Sequence, residues 1–327
     1  MDIPDAGAAC TDVLDALRGS IIADDDFFED ILVGLLSGGH VLIEDVPGTG
    51  KTLTARSVAT ALGLSFSRVQ FTPDLLPSDV TGTNVFDESA GEFEFSEGPI
   101  FANVVLADEI NRAPPKTQAA LLEAMEEEQV TVDGDTYALP EPFFLVATQN
   151  PVESEGNFPL PEAQLDRFNV KTSMGYPELD GEIELLRRRA GRVEQDPSID
   201  PVLDADSVVD VRGAPESVRV DDDLLEYMAR LTRATREDRR VDVGVSPRGT
   251  QRLFEATRAA AVLAGREFVT PDDVKRVAAP VLAHRLVLTP DAKVDDVAKS
   301  DVLQAVLDRV EVPTVQQGGS DAGAAAE

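Results

Sequence analysis

The sequence predicts an α/β protein: a three-layer core around a mostly parallel sheet, followed by an all-helical domain. Two observations predict the core. Short apolar runs alternate with helically spaced segments through the first half of the chain, as parallel strands alternate with their crossover helices. The loop in "VLIEDVPGTGKTLTAR", residues 41 to 56, sits where a strand gives way to a helix. A third observation predicts the break. From "GYPELDG" onward, residues 179 to about 311 keep a helical period and offer no strand signal. At 327 residues the chain has room for two cores.

Taken in order, residues 1 to 20 begin with small and polar side chains and predict a loose segment carrying Cys10, the single cysteine. One thiol cannot form an internal disulfide. In "FFEDILVGLL", Phe28, Ile31, Leu32, Leu35 and Leu36 share one helical face. "GGH" ends that helix, and "HVLIED" reads as a buried strand with His40 at its entry. A helix opens at the loop, "SFSRVQF" is a second strand and "FANVVLADE" a third. "PPKTQAALLEAMEEEQ" has proline in its first helical turn, where the missing N–H is harmless. Asp133-Gly134 in "VTVDGDTYAL" predicts a hairpin. "PFFLVATQNP" and "RFNVKTSM" supply the last strands, so the core covers residues 21 to 177.

The helical domain covers 178 to 313, with His284 on a helix and Arg187, Arg188 and Arg189 on a solvated face. Residues 314 to 327, ending "GGSDAGAAAE", predict a disordered tail. No run approaches the roughly 18 apolar residues of a membrane helix. "MDIPDAGAACTD" has neither the basic region nor the apolar stretch of a signal peptide. A cytoplasmic protein without membrane insertion is the expectation.

The chemistry concentrates in two places. "PGTGKT" fits the end of the phosphate-loop pattern G-x-x-x-x-G-K-[ST], with Asp45 where the first glycine belongs. In such a loop, consecutive N–H groups and the following helix N-terminus form an anion nest. Residues Pro47, Gly48, Thr49, Gly50, Lys51, Thr52 and Leu53 would hold the nucleotide. Lys51 supplies a charge near the β and γ phosphates, and the Thr52 hydroxyl can ligate Mg²⁺. Position 45 leaves the strand far from the γ phosphate, so its substitution is expected to matter little. In "VVLADE", three β-formers lead to Asp108 and Glu109, 57 residues after Lys51. Open α/β sheets bind ligands at such strand ends. Asp108 is a candidate metal ligand, and Glu109 a candidate general base that orients the attacking water.

With both motifs in hand, the chain resembles the MoxR family of AAA+ ATPases from about residue 20 to 311. The stretches that carry the resemblance are "LIEDVPGTGKT", "GPIFANVVLADEINRAPPKTQAALLEAMEE", "FFLVATQNPVESEGNFPLPEAQLDRF" and "GVSPRGTQRL". The resemblance implies a P-loop AAA+ core with a helical lid, and ATP with Mg²⁺ at their junction and at a subunit interface. It implies that Asn150 is the sensor that positions water, and that Arg248 is a lid arginine reaching the γ phosphate. Arg167 then matches the finger that completes a neighbouring subunit's site; its plainer reading is a salt bridge to Asp166 or Glu162. Residues 73 to 95 resemble the helix-2 insert of this clade, which with the 133–134 hairpin would face the substrate. Ile22-Ala23-Asp24 stands in place of the family's usual Val-Gly-Gln-like step near the adenine. The family further implies a homo-oligomeric ring, a hexamer, that remodels or matures a client protein, and a partner with a von Willebrand A-type metal-binding domain.

Charge qualifies this reading. Asp and Glu number 61 against 29 Lys and Arg, a net −32, and only six of the basic residues are lysine. Acidic runs such as "ADDDFFED" and "VDDDLLEY" are dispersed along the chain. Self-repulsion of this size opposes compactness, but at molar salt the screening length falls to about 3 Å. The composition resembles that of proteins from salt-accumulating halophiles. It also disfavours a nucleic-acid motor, the first alternative, because phosphate backbones are held by cations. A nucleotide-sensing scaffold without turnover is the second alternative, and Glu109 and Arg167 argue against it.

Overall fold

The computed structural model describes residues 1–89, 91–151, 158–191 and 199–313. Helices α1 (Ile3–Ser20) and α2 (Asp25–Leu36) precede strand β1 (Val41–Glu44), helix α3 (Lys51–Ala61) and strand β2 (Phe66–Gln70). A short helix α4 (Pro77–Thr81) leads into the hairpin β3 (Gly82–Asp87) and β4 (Glu92–Glu97). Strand β5 (Val104–Asp108) and helix α5 (Pro115–Glu127) follow, then the hairpin β6 (Gln129–Val132) and β7 (Asp135–Ala138). Strand β8 (Phe144–Gln149), helix α6 (Glu162–Leu165) and strand β9 (Val170–Thr172) complete the core.

Five strands form one parallel sheet in the order β2-β5-β8-β1-β9. The inner strands β5, β8 and β1 are covered on both faces, so they read as continuous apolar runs rather than alternating ones. Alternation decides which layer each residue joins. Val41, Ile43, Val104, Leu106, Phe144 and Val146 pack into one core, and Leu42, Val105, Ala107, Leu145 and Ala147 into a second across the sheet. The first core continues without a break into the lid.

The lid comprises α7 (Leu179–Gly191), α8 (Ala205–Gly213), α9 (Asp222–Arg236), β10 (Val241–Val243), α10 (Pro247–Leu263), α11 (Pro271–Leu282), β11 (Val287–Leu288), α12 (Pro290–Val294) and α13 (Lys299–Arg309). Two elements correct the expectation of an all-helical lid: β10 and β11 pair antiparallel. They are two or three residues long, too short to leave a period-2 signal. No helix among the described residues is long and apolar enough to cross a membrane.

The expected loose segment over residues 1–20 is instead α1, capped by Asp2, whose side chain accepts from the Asp5 N–H at 2.8 Å. Its buried positions, Ile3, Ala6, Gly7, Cys10, Val13, Leu14 and Leu17, follow the helical period. Small residues bring it against α10: a Cβ on Gly7 would lie 2.7 Å from the Gly265 Cα. Cys10 is 3% exposed, and burial pushes its thiol up to about 12, an inert setting. The tail expected over 314–327 lies outside the described residues.

Candidate active site

The phosphate loop joins the carboxyl end of β1 to the amino end of α3. Gly48 (φ +88°) and Gly50 (φ +105°) take left-handed backbone that other residues adopt at a cost. Gly50 caps α3 without a side chain, so the helix's first N–H groups are left to face a ligand. Lys51 Nζ donates to the carbonyls of Asp45 (2.9 Å) and Val46 (2.7 Å), folding back over the loop. Partial burial lowers its pKa, against the pull of Asp45, Asp108 and Glu109.

Strand β5 delivers the two acids to the same place. Asp108 Oδ1 accepts from the Thr148 hydroxyl at 2.5 Å, and Oδ2 accepts from Arg68 Nη2 at 2.6 Å. Glu109 has φ +57°, a left-handed turn that costs a non-glycine residue roughly 1–2 kcal/mol. Its N–H donates to Thr148 Oγ1 at 2.9 Å, which pins the turn. Gln70 Nε2 and Arg112 Nη1 each donate to Glu109 Oε2 at 2.8 Å and aim the carboxylate. Asn150 is buried just beyond β8.

Pro47, Gly48, Gly50, Lys51, Thr52, Asp108, Glu109, Thr148, Gln149 and Asn150 line one cleft of about 310 Å³. A helix N-terminus, a lysine and a hydroxyl beside two carboxylates suit a phosphate chain accompanied by a divalent cation. Among the described residues no group of three or more His, Cys, Asp or Glu is arranged to hold a metal alone. Thr52 and Asp108 put a hydroxyl and a carboxylate on the cleft wall, hard oxygen donors of the kind that suit Mg²⁺.

A second constellation lies at the opposite ends of the strands. Arg167 precedes β9 and donates Nη1 to the Leu122 carbonyl at 3.0 Å and to Glu126 at 2.7 Å. Arg248, in the first turn of α10, donates Nη2 to the other oxygen of Glu126 at 2.5 Å. Ser246 caps that helix through the Gly249 N–H. Arg248 and Arg252 share a depression of about 560 Å³ with Gly38, Met125, Glu126, Glu127 and Glu128. Burial, helped by Arg248, lowers the pKa of Arg252.

His40 locates this face. Its ring bonds the Met125 carbonyl and the Leu145 N–H, immediately before β1 begins. Burial lowers it to about 4, so it stays neutral and structural. A strand of four to six residues, roughly 13–20 Å at about 3.3 Å each, separates this face from the cleft.

Glu109, Asn150, Pro47, Gly48, Gly50, Lys51 and Thr52 thus share one cleft, whereas Thr49 and Leu53 are not among its lining residues and Leu53 packs against the core. Arg167 does not pair with Asp166 or Glu162 but with Glu126. Asp166 is taken by Arg285, whose buried guanidinium also bonds the Phe168 carbonyl. Arg248 is not among the residues lining its own chain's cleft. Sequence reasoning missed Thr148, Arg68, Gln70 and Glu126. Thr148 alone had a usable signal, a hydroxyl one strand over from Asp108 in an otherwise apolar run. Arg188, expected on a solvated face, bonds the Gly19 carbonyl and Glu184.

Asp45 turns inward and is 6% exposed. The insert at 73–95 takes in α4 and most of the β3–β4 hairpin, which exposes Val85, Phe86 and Phe93. It packs on the β6–β7 hairpin: Phe95 stacks on Tyr137 at 3.8 Å, and Asn84 donates to Asp133 at 2.9 Å.

Comparison with known proteins agrees with this geometry. The model of the ATPase family associated with various cellular activities (AAA) matches residues 40–170, and that of the AAA lid domain matches 233–306. The chain is 48% identical to the protein YeaC of Bacillus subtilis, over 86% of this chain and 88% of that one. It is 42% identical to Chaperone MoxR1 of Mycobacterium tuberculosis, over 92% and 82%. Protein MoxR of Paracoccus denitrificans is 32% identical over 88% and 91%. The crystal structure of a candidate ATPase from Cytophaga hutchinsonii superposes with a TM-score of 0.87 at 36% identity, covering 94% of this chain and 96% of that one.

Proposed function

The chain belongs to the MoxR family of AAA+ ATPases, and from that premise we propose that it hydrolyses ATP in a ring of identical subunits to remodel or mature a client protein. The observation that carries the proposal is the placement of the cleft and the arginine pair at opposite ends of one sheet. Copies stacked side by side in a ring bring the arginines of one chain to the cleft of the next. A hexamer is the family's usual closure.

In this reading the loop N–H groups and Lys51 hold the phosphates, Lys51 exchanging the Asp45 and Val46 carbonyls for phosphate oxygens. Glu109, held by Gln70 and Arg112, orients the attacking water and accepts its proton. Asn150 fixes the same water. Thr52 and Asp108 would hold Mg²⁺, which would supply charge neutralisation on the phosphates when bound. Arg167 and Arg248 exchange Glu126 for the neighbour's γ phosphate, where an arginine stabilises charge in the transition state. Arg248 is therefore assigned to the neighbour's site rather than its own.

The paired hairpins support a protein client over a nucleic acid. From Val69 to Asn111 the chain has no lysine or arginine, and its exposed residues include the apolar Val85, Phe86 and Phe93 and the acidic Glu92 and Glu94. The family resemblance adds a partner with a von Willebrand A-type domain. Two variants assayed in molar KCl, which screens the −32 charge, test the assignment. Lys51→Ala is expected to lose ATP binding. Glu109→Gln is expected to bind ATP normally yet hydrolyse it about 10²–10⁴-fold more slowly, because an amide cannot accept the proton. Normal turnover in Glu109→Gln would remove that residue from the reaction.

A further inference from the structure

We propose that Asp45 is a positioning residue that couples the phosphate loop to the connection between core and lid. The phosphate-loop pattern places glycine here, and glycine has no side chain to reach anything. The Asp45 carboxylate instead accepts three backbone N–H bonds. Oδ1 takes Val46 at 2.8 Å, inside the phosphate loop. Oδ2 takes Met174 at 3.0 Å and Gly175 at 2.8 Å. Those two residues lie between the end of β9 at Thr172 and the start of α7 at Leu179, so they belong to the segment that joins core to lid.

Burial makes the arrangement consequential. A carboxylate this enclosed is tolerated because charged acceptors bond N–H groups strongly. Removing it would leave the buried Met174 N–H and the half-buried Val46 and Gly175 N–H groups without this acceptor. The link is also held close to the loop: a Cβ on Gly50 would sit 3.8 Å from Met174 Sδ and Cε. Gly175 has φ +68°, a conformation that lets the chain turn where the carboxylate grips it.

The same residue feels the state of Lys51. Its carbonyl accepts from Lys51 Nζ, and its carboxylate charge acts on that ammonium. When Lys51 leaves the Asp45 carbonyl for a phosphate, residue 45 loses one partner at its backbone while its side chain still holds residues 174 and 175. Loop occupancy is thereby transmitted to the lid, which carries Arg248. This step rests on the ATPase reading above. It replaces the sequence expectation that position 45 matters little because it lies far from the γ phosphate. Asp45 acts away from the nucleotide, through the hinge.

The test uses the full-length chain with ADP and Mg²⁺ in molar KCl, and hydrogen–deuterium exchange of a peptide covering residues 173–178. In the wild type, nucleotide is expected to change exchange in that peptide. In Asp45→Gly, exchange there is expected to rise about tenfold, as for lost bonds to a charged acceptor. The nucleotide response should vanish and kcat should fall about tenfold, while nucleotide affinity shifts by less than about threefold. Asp45→Asn keeps one acceptor oxygen and should fall between the two, which guards against a variant that misfolds. The proposal is overturned if residues 173–178 respond to nucleotide in Asp45→Gly as in the wild type. It is equally overturned if Asp45→Gly loses nucleotide affinity as Lys51→Ala does, since Asp45 would then belong to the binding loop itself. Wild-type protein that shows the exchange response without any hydrolysis would sink the ATPase reading and leave the coupling standing.

Discussion

At the carboxyl ends of the strands, the charged groups are set by short loops and by neighbours one strand away. Lys51 begins a helix, Asp108 ends a strand, and Thr148 on the adjoining strand bonds both Asp108 and Glu109. At the amino ends, the arginines come from the segment before β9 and from the lid, and meet on Glu126 at the end of α5. One end is a cleft with acids and an anion nest. The other is a set of cations held by a single carboxylate. The difference teaches how the proposed assembly would work: on that reading the two ends are halves of one site, and the arginines of one copy complete the cleft of the next.

The largest expected effect breaks the amino end alone. Arg167→Ala should bind ATP nearly as the wild type does, yet lose about 10³–10⁵ in hydrolysis, the usual worth of such an arginine. Equilibrium nucleotide binding and phosphate release, measured on one preparation, separate these outcomes. Wild-type turnover would reduce Arg167 to a structural partner of Glu126.

Next in size is the support behind that arginine. Arg285 is buried in the lid and bonds Asp166, together with the carbonyls of Asp166 and Phe168, on either side of Arg167. Burial lowers its pKa to about 10, so it remains charged. Arg285→Ala leaves those acceptors unmet and should cost about 3–5 kcal/mol, read from the denaturant midpoint. A loss below about 1 kcal/mol, the scale of an exposed ion pair, would mean the segment is held by other contacts.

The smallest effect is pH-dependent and also belongs to the amino end. His40 has a folded pKa of about 4, below the ordinary 6.5, because burial disfavours its charge. A depressed folded pKa gives stability that is present above about 6.5 and lost as pH falls toward 4. His284 is lowered in the same sense. Asp30, raised to about 6 by burial, works oppositely, its contribution growing as pH falls from 6 toward 3.8. Between pH 7 and 5, His40→Asn should flatten the acid loss of stability by about 1–3 kcal/mol. Parallel curves for the two proteins would show that His40 does not report on this end.

The same contrast explains what could be read from the amino acids. The cleft was legible because its parts are contiguous: "PGTGKT" and "VVLADE" each place a strand, a turn and a functional side chain within a few residues. The β6–β7 hairpin was legible for a similar reason, since Asp133 and Gly134 both need positive φ. The arginine face draws on α5, the 166–169 segment and two parts of the lid, so Glu126 looked like one acid among many. Asp45 looked like a tolerated substitution because its partners lie some 130 residues downstream. Helix α1 did carry a signal. Ile3, Ala6, Cys10, Val13 and Leu17 keep the period, but small side chains hide a close helix contact that hydrophobicity alone does not flag.

The most direct test of assembly across subunits is complementation between inactive variants. Lys51→Ala chains cannot hold ATP but keep both arginines, while Arg248→Ala and Arg167→Ala chains hold ATP but lack one. Each arginine variant is mixed with Lys51→Ala under conditions where co-assembly is verified, and phosphate release is measured. Recovery of activity in both mixtures is the predicted result, because each intact cleft then meets a neighbour with both arginines. If the Arg167→Ala mixture recovers and the Arg248→Ala mixture stays inactive, Arg248 serves its own chain's cleft, and the division of the site between the two ends of the sheet is contradicted.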